Sequence, residues 1–239
     1  MHLKKIVVAT LAMSSMASFA AEPGMKAQAE LGFVLTDGNS ETQSTNGKFN
    51  IERDRNNWRQ KFNIEVLSAS QNEVSSAERY ATAFQTDRKL DDNDFIFGQL
   101  TYDDDRFSGF DYESTAAVGY GKTILENDVN LLTAQLGPGI RVSREEGAAS
   151  ESEGIVVTSL NYEYEISDTA KFGQRLDSDF GEDRIISTSI TSLTSKIKDA
   201  LAMKVSLTVK NNSDPALNED LTRKEETDVE TSVALVYSF

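Results

Sequence analysis

Residues 231–239 read TSVALVYSF, with Val233, Leu235, Tyr237 and Phe239 on alternate positions and Ser232, Ala234, Val236 and Ser238 between them. A period of two sets these groups on opposite faces of a strand. Chain ends ordinarily fray into water, so an end that is itself an amphipathic strand predicts a sheet that holds it.

The same alternation recurs upstream. In LAMKVSLTVK, Leu201, Met203, Val205, Leu207 and Val209 share one face, and Ala202, Lys204, Ser206, Thr208 and Lys210 the other. WRQKFNIEVL opposes Phe62, Ile64 and Val66 to Lys61, Asn63 and Glu65, and VTSLNYEYEI opposes Leu160, Tyr162, Tyr164 and Ile166 to Asn161, Glu163 and Glu165. IISTSITSLTS alternates poorly, so the register within 184–197 stays open. Beyond the first residues no stretch sustains a helical period. Alternating segments bounded by turn residues predict an all-β chain of about twelve strands. Their expected spans are 26–36, 41–53, 58–70, 76–90, 95–106, 110–125, 129–144, 154–166, 170–180, 184–197, 200–210 and 227–239. These exceed the five or six residues of an average soluble strand, and match a tilted bilayer crossing with some overhang.

The first residues differ. Lys4 and Lys5 precede an apolar run from Ile6 to Met13, and Ser18 and Ala20 supply small residues at a cleavage spacing. This is the pattern of a secretory signal peptide, which assigns 1–20 to a cleaved leader and 21–239 to one domain. The lone His2 leaves with the leader, and there is no cysteine. Without either, Ser-His and Cys-His nucleophiles, disulfides and ordinary zinc sites are unavailable. No paired acids stand out for glycoside chemistry, so no enzyme and no cofactor is expected. Loss of two lysines moves the net charge from −15 to −17, which argues against nucleic acid as a partner.

Alternation alone does not say whether the apolar face lines a core or meets lipid. A soluble periplasmic ligand-binding barrel buries it, and a membrane barrel turns it outward. Export, strand length and a strand number above eight favour a closed, antiparallel up-and-down transmembrane barrel. Its polar face would carry mixed charge into the lumen: Lys61, Glu65, Arg141, Glu163, Glu165, Lys171, Arg175, Asp177 and Lys204. Gly119, Gly121, Gly137 and Gly139 fall on that face, and Pro138 between the last two predicts a bulge or bend. The connectors DRNN, DDND, END, SDT and KDA are tight, whereas EEGAASESEG and NNSDPALNEDLTRKEE are long and fall on the other side. Short periplasmic turns and long outer loops are the barrel pattern.

Two other motifs fail. Asp177, Asp179, Gly181 and Asp183 approach a calcium loop, but the glycine stands fifth instead of sixth and Thr188 takes the place of the twelfth-position Glu. VGYGK and LGPGIRV lack the strand–helix setting of a phosphate loop.

The ending resembles the C-terminal signal of bacterial outer-membrane proteins, which implies that Val233, Leu235, Tyr237 and Phe239 are read by the barrel-assembly machinery. LGFVLTDGNSETQSTNGKFNIER resembles the opening hairpin of the salt-induced outer membrane protein family, through Leu31, Phe33, Thr36, Gly38, Asn39 and Thr42. Asp37-Gly38-Asn39 suits a tight hairpin turn. The resemblance implies residence in the outer membrane, among its lipid and lipopolysaccharide, and a stress-related or structural role. A selective channel for small solutes is the alternative. Oligomeric state is not legible in these residues.

Overall fold

The computed structural model describes residues 24–37, 42–71, 74–106, 108–216 and 222–239. The leader assigned to 1–20 and the turn at Gly38 and Asn39 lie outside them. The described residues form twelve strands: β1 (Met25–Asp37), β2 (Thr42–Arg55), β3 (Trp58–Gln71), β4 (Val74–Lys89), β5 (Asp94–Asp105), β6 (Phe110–Glu126), β7 (Asn130–Glu145), β8 (Glu151–Ser167), β9 (Ala170–Gly181), β10 (Ile185–Lys198), β11 (Leu201–Asn212) and β12 (Thr227–Ser238). Each pairs antiparallel with its sequence neighbours, and β12 pairs with β1 to close the cylinder.

Turn chemistry explains one end. Asn56 and Asp199 take positive φ, which Asn and Asp tolerate better than most residues. The Asp91 carboxylate accepts from the amides of Asn93 and Asp94 at 2.8 and 2.7 Å, and the Asn127 carbonyl oxygen accepts from Val129 and Asn130 at 3.1 and 2.9 Å. These side chains satisfy turn amides that the ladders leave over. The described chain ends share this inner end, where the Phe239 amide donates to the Ala27 carbonyl at 2.9 Å. The connectors from β7 to β8 and from β11 to β12, the longest between strands, lie at the outer end.

Large apolar side chains point away from the axis. Leu136, Leu207 and Leu235 are 57, 43 and 53 % exposed, as are comparable residues on every strand from β3 to β12. In water such a belt would forfeit about 1.5–3 kcal/mol per large side chain; hydrocarbon supplies the apolar contact instead. Outward aromatics lie near both ends, with Trp58, Tyr164 and Tyr237 at the inner end and Tyr80 and Tyr102 at the outer. Tyr102 stacks on Tyr112 at 6.2 Å between centroids.

Pairing resolves β10. Its outward set is Ile185, Ser187, Ser189, Thr191, Leu193, Ser195 and Ile197, so hydroxyls occupy the middle of the lipid face, and the apolar Ile186 and Ile190 point inward. Hydrogen bonds among the outward groups offset their polarity: Thr191 donates to Gln174 at 2.6 Å, and Ser178 and Ser187 share a bond at 2.9 Å. Both faces mix polar and apolar residues, which is why alternation was weak.

Pro138 makes no bulge. β7 keeps one register with β8 through it, and the β6–β7 ladder lapses between Ala117–Gly139 and Tyr120–Leu136 without a shift. Proline has no N–H to donate, and Gly119 and Gly137 let the two backbones close up where the ladder lapses: a Cβ on Gly119 would lie 2.7 Å from Gly137 Cα. The bulges of this hairpin lie elsewhere, at Phe110–Tyr112 and Thr123–Leu125.

Candidate functional site in the barrel lumen

Register carries the inward set around the ring: Glu30 faces Lys48, which faces Glu65, then Ala81, Asp103 and Glu113. By the same parity all nine charges expected in the lumen fall on the inward face. Eight of them form ion pairs distributed along the cylinder. Lys48 meets Glu65 at 3.1 Å, Lys171 meets both Glu163 and Glu165 at 3.0 Å, Arg175 meets Asp177 at 2.6 Å, and Lys204 meets Glu30 at 3.0 Å. The Arg141 Nε donates to Glu153 at 2.9 Å. Lys61 lies within electrostatic range of Arg175 on the opposite wall.

Toward the inner end the lumen is narrowed from the β3–β6 side. Asp87 is fully buried; Arg59 donates to one of its oxygens at 2.8 Å and Gln85 to the other at 2.6 Å. The Arg59 guanidinium lies 5.1 Å from the Phe95 ring centroid, a cation–π contact that couples this ion pair to its neighbour. Phe95, Phe97, Ala117, Ile155 and Val157 form an apolar cluster inside the barrel. The rings lie on bare backbone, since a Cβ on Gly119 would come 2.7 Å from Phe97 and one on Gly121 would overlap Phe95. The inward glycines therefore make room for aromatic rings.

Sequence reasoning missed Arg59, Asp87, Phe95 and Phe97. In DFIFGQL three consecutive apolar residues hide the parity. An aspartate in a strand also looks solvated until its partner on the next strand is known.

Nearer the outer end the lumen widens into a cavity of about 310 Å³. Four basic side chains line it, Lys48, Arg79, Arg141 and Lys210, against seven acidic ones, Glu65, Asp103, Asp105, Glu113, Asp179, Asp228 and Glu230. Arg79 grips both oxygens of Asp103, donating from Nη2 to Oδ2 at 2.7 Å and from Nε to Oδ1 at 3.3 Å, the forked geometry that holds guanidinium and carboxylate most firmly. Threonines 101, 115, 188 and 208 add hydroxyls, and Leu67, Ile186 and Ile190 an apolar strip. The excess of acid gives this vestibule a negative potential that concentrates cations.

Arg184 is the functional candidate no motif flagged. It lies in the β9–β10 connector, yet its side chain is only 6 % exposed. It pairs with Glu113 on β6 and stacks 4.1 Å from the Phe110 ring centroid. Its carbonyl accepts from Arg141 at 2.8 Å, and the Asp183 amide donates to Glu153 at 3.2 Å.

A closed antiparallel cylinder with a lipid-facing belt, short inner turns and a charged, partly filled lumen defines an outer-membrane-type β-barrel. Within that class, the chain belongs to the family described as "Protein of unknown function, DUF481", which matches residues 29–239. It is 31% identical over 171 residues to the uncharacterized protein YdiY of Escherichia coli (strain K12); the match covers 72% of this chain and 66%, just under two thirds, of that protein. Among solved structures, the NanC porin superposes with a TM-score of 0.60 at 6% identity, covering 87% of this chain and 98% of its own. The translocator domain of the autotransporter NalP from Neisseria meningitidis gives 0.55 at 9%, covering 98% and 95%. The KdgM porin gives 0.51 at 14%, covering 89% and 99%. At these identities the likeness is one of fold.

Proposed function

We propose that the protein is exported by its N-terminal leader, inserts in the outer membrane, and serves there as a non-enzymatic barrel with a narrow lumen of low conductance and cation preference. The observation that carries this reading is the filling of the lumen: the Phe95–Phe97 cluster and the Arg59–Asp87 pair narrow the inner end beneath an acid-rich vestibule. A wide pore of the 16–18-strand type needs a larger ring. The resemblance to the salt-induced family favours a role in the envelope's response to salt, and lipopolysaccharide would surround the outer belt. Val233, Leu235 and Tyr237 project outward on β12, where assembly machinery can read them together with Phe239. Deleting Phe239 is expected to lower the level of inserted protein.

Planar bilayers test the reading. Purified protein is expected to give small, cation-selective currents or none, together with a gel mobility that changes on heating. Large steady currents would overturn the narrow lumen. Recovery in a detergent-free periplasmic extract would overturn the membrane location.

A further inference from the structure

We infer that Lys61 is the charge barrier of the lumen, an ammonium group with no ion partner, set at the inner constriction, that repels the small cations the acid-rich vestibule gathers. The inference rests on the narrow-lumen reading and deepens it by naming the side chain that holds conductance low.

Charge pairing singles Lys61 out. Of the charges expected in the lumen from sequence, it alone makes no ion pair with any described residue. The acids around it are committed elsewhere or do not reach it. Asp87 accepts from Arg59 at one oxygen, at 2.8 Å, and from Gln85 at the other, at 2.6 Å. Gln85 is the register partner of Lys61 on β4, so the neighbour beside the lysine takes the carboxylate it would otherwise meet. Glu52, its register partner on β2, attracts it through space without closing an ion pair. Glu163 also feels its charge but is held by Lys171 at 3.0 Å.

Position gives that free charge its effect. β3 and β9 stand six strands apart in either direction round the ring, so they face each other across the lumen. From β9, Arg175 lies within electrostatic range of Lys61, but Asp177 neutralises it locally at 2.6 Å. Lys61 and Phe97 are each the fourth residue from the inner end of their strand, which puts the half-buried lysine level with the apolar cluster. A charge in a narrow, partly apolar passage is felt more strongly than the same charge in bulk water. The two stages of the lumen therefore oppose ions of both signs. The vestibule, with seven acids against four bases, repels anions and collects cations. Those cations then meet Lys61 on the way inward.

Planar bilayers in potassium chloride, with full-length protein, test the assignment. Lys61→Gln removes the charge and keeps most of the length; at low salt its cation current is expected to exceed that of the unaltered protein by about tenfold or more. Lys61→Arg keeps the charge and should stay near the unaltered level. The gain should shrink as salt screens the lumen. Heat-modifiable mobility identifies folded variants, and Lys61→Met replaces Lys61→Gln if the latter does not fold. The chain has no cysteine, so Lys61→Cys supplies a single thiol for restoring charge. A methanethiosulfonate reagent bearing an ammonium group should close the variant again, whereas one of similar size bearing a sulfonate should not, each adduct being verified by mass. A folded Lys61→Gln that conducts no more than the unaltered protein, a Lys61→Arg that leaks equally, or adducts that act alike would each overturn the barrier. A large steady current from the unaltered protein that rises further in Lys61→Gln but not in Lys61→Arg would overturn the narrow lumen and leave the barrier standing.

Discussion

Asp87 shows how much a single lumen residue can carry. Its carboxylate is fully buried and held by Arg59 and Gln85. Burial removes a carboxylate from water at a cost of several kcal/mol, which a well-formed pair offsets only in part. Breaking the pair from one side is the damaging change. Arg59→Ala is therefore expected to destabilise the barrel by about 3–5 kcal/mol, read by urea unfolding in detergent micelles. Arg59→Ala with Asp87→Ala removes both charges and should recover much of that loss; equal instability of single and double variants would count against the pair. Arg175 and Asp177 also touch, at 2.6 Å, but the Arg175 side chain is 55 % exposed, so water screens that pair and its loss should be nearly silent.

At the scale of the strand, β11 offers the sharpest test of which solvent each face meets. Leu207 projects outward near the middle of the strand, and Thr208, the next residue, lines the vestibule. Leu207→Arg is expected to cost about 2–4 kcal/mol, the penalty for a cation on a lipid face at the bilayer midplane. Thr208→Arg, entering a wall with excess acid, should cost much less. Reversible unfolding into lipid vesicles measures both. If the two substitutions cost the same, the belt does not face hydrocarbon. The strand spans were legible to within three residues because period-two patterning and turn chemistry are both local. The β10 register was not, because its hydroxyls and its isoleucines occur on both faces. Only the pairing with β9 and β11 sorts them.

For the whole molecule, on the proposed reading, lumen charge governs what passes. The vestibule holds more acid than base, and Lys204 on β11 is tied to Glu30 across β12. Lys204→Glu deepens the negative potential and leaves Glu30 facing a like charge. Any current through that variant is expected to shift further toward cations, measured as reversal potential under a salt gradient, and a shift toward anions or none would contradict an electrostatic filter. The effect should weaken as ionic strength rises and the Debye length shortens.

The amino-acid sequence by itself determined that the chain is an all-β cylinder, where its strands begin and end, and, outside β5 and β10, which side chains share each face. Those properties follow from alternation, turn residues and strand length, all of which act over a few residues. Tertiary structure alone decided that Arg59 meets Asp87, that Phe95 and Phe97 pack on inward glycines, and that Arg184 reaches Glu113. The physical reason is closure. Joining β12 to β1 brings residues far apart in the chain to opposite sides of one narrow space, and no local period encodes who stands across from whom.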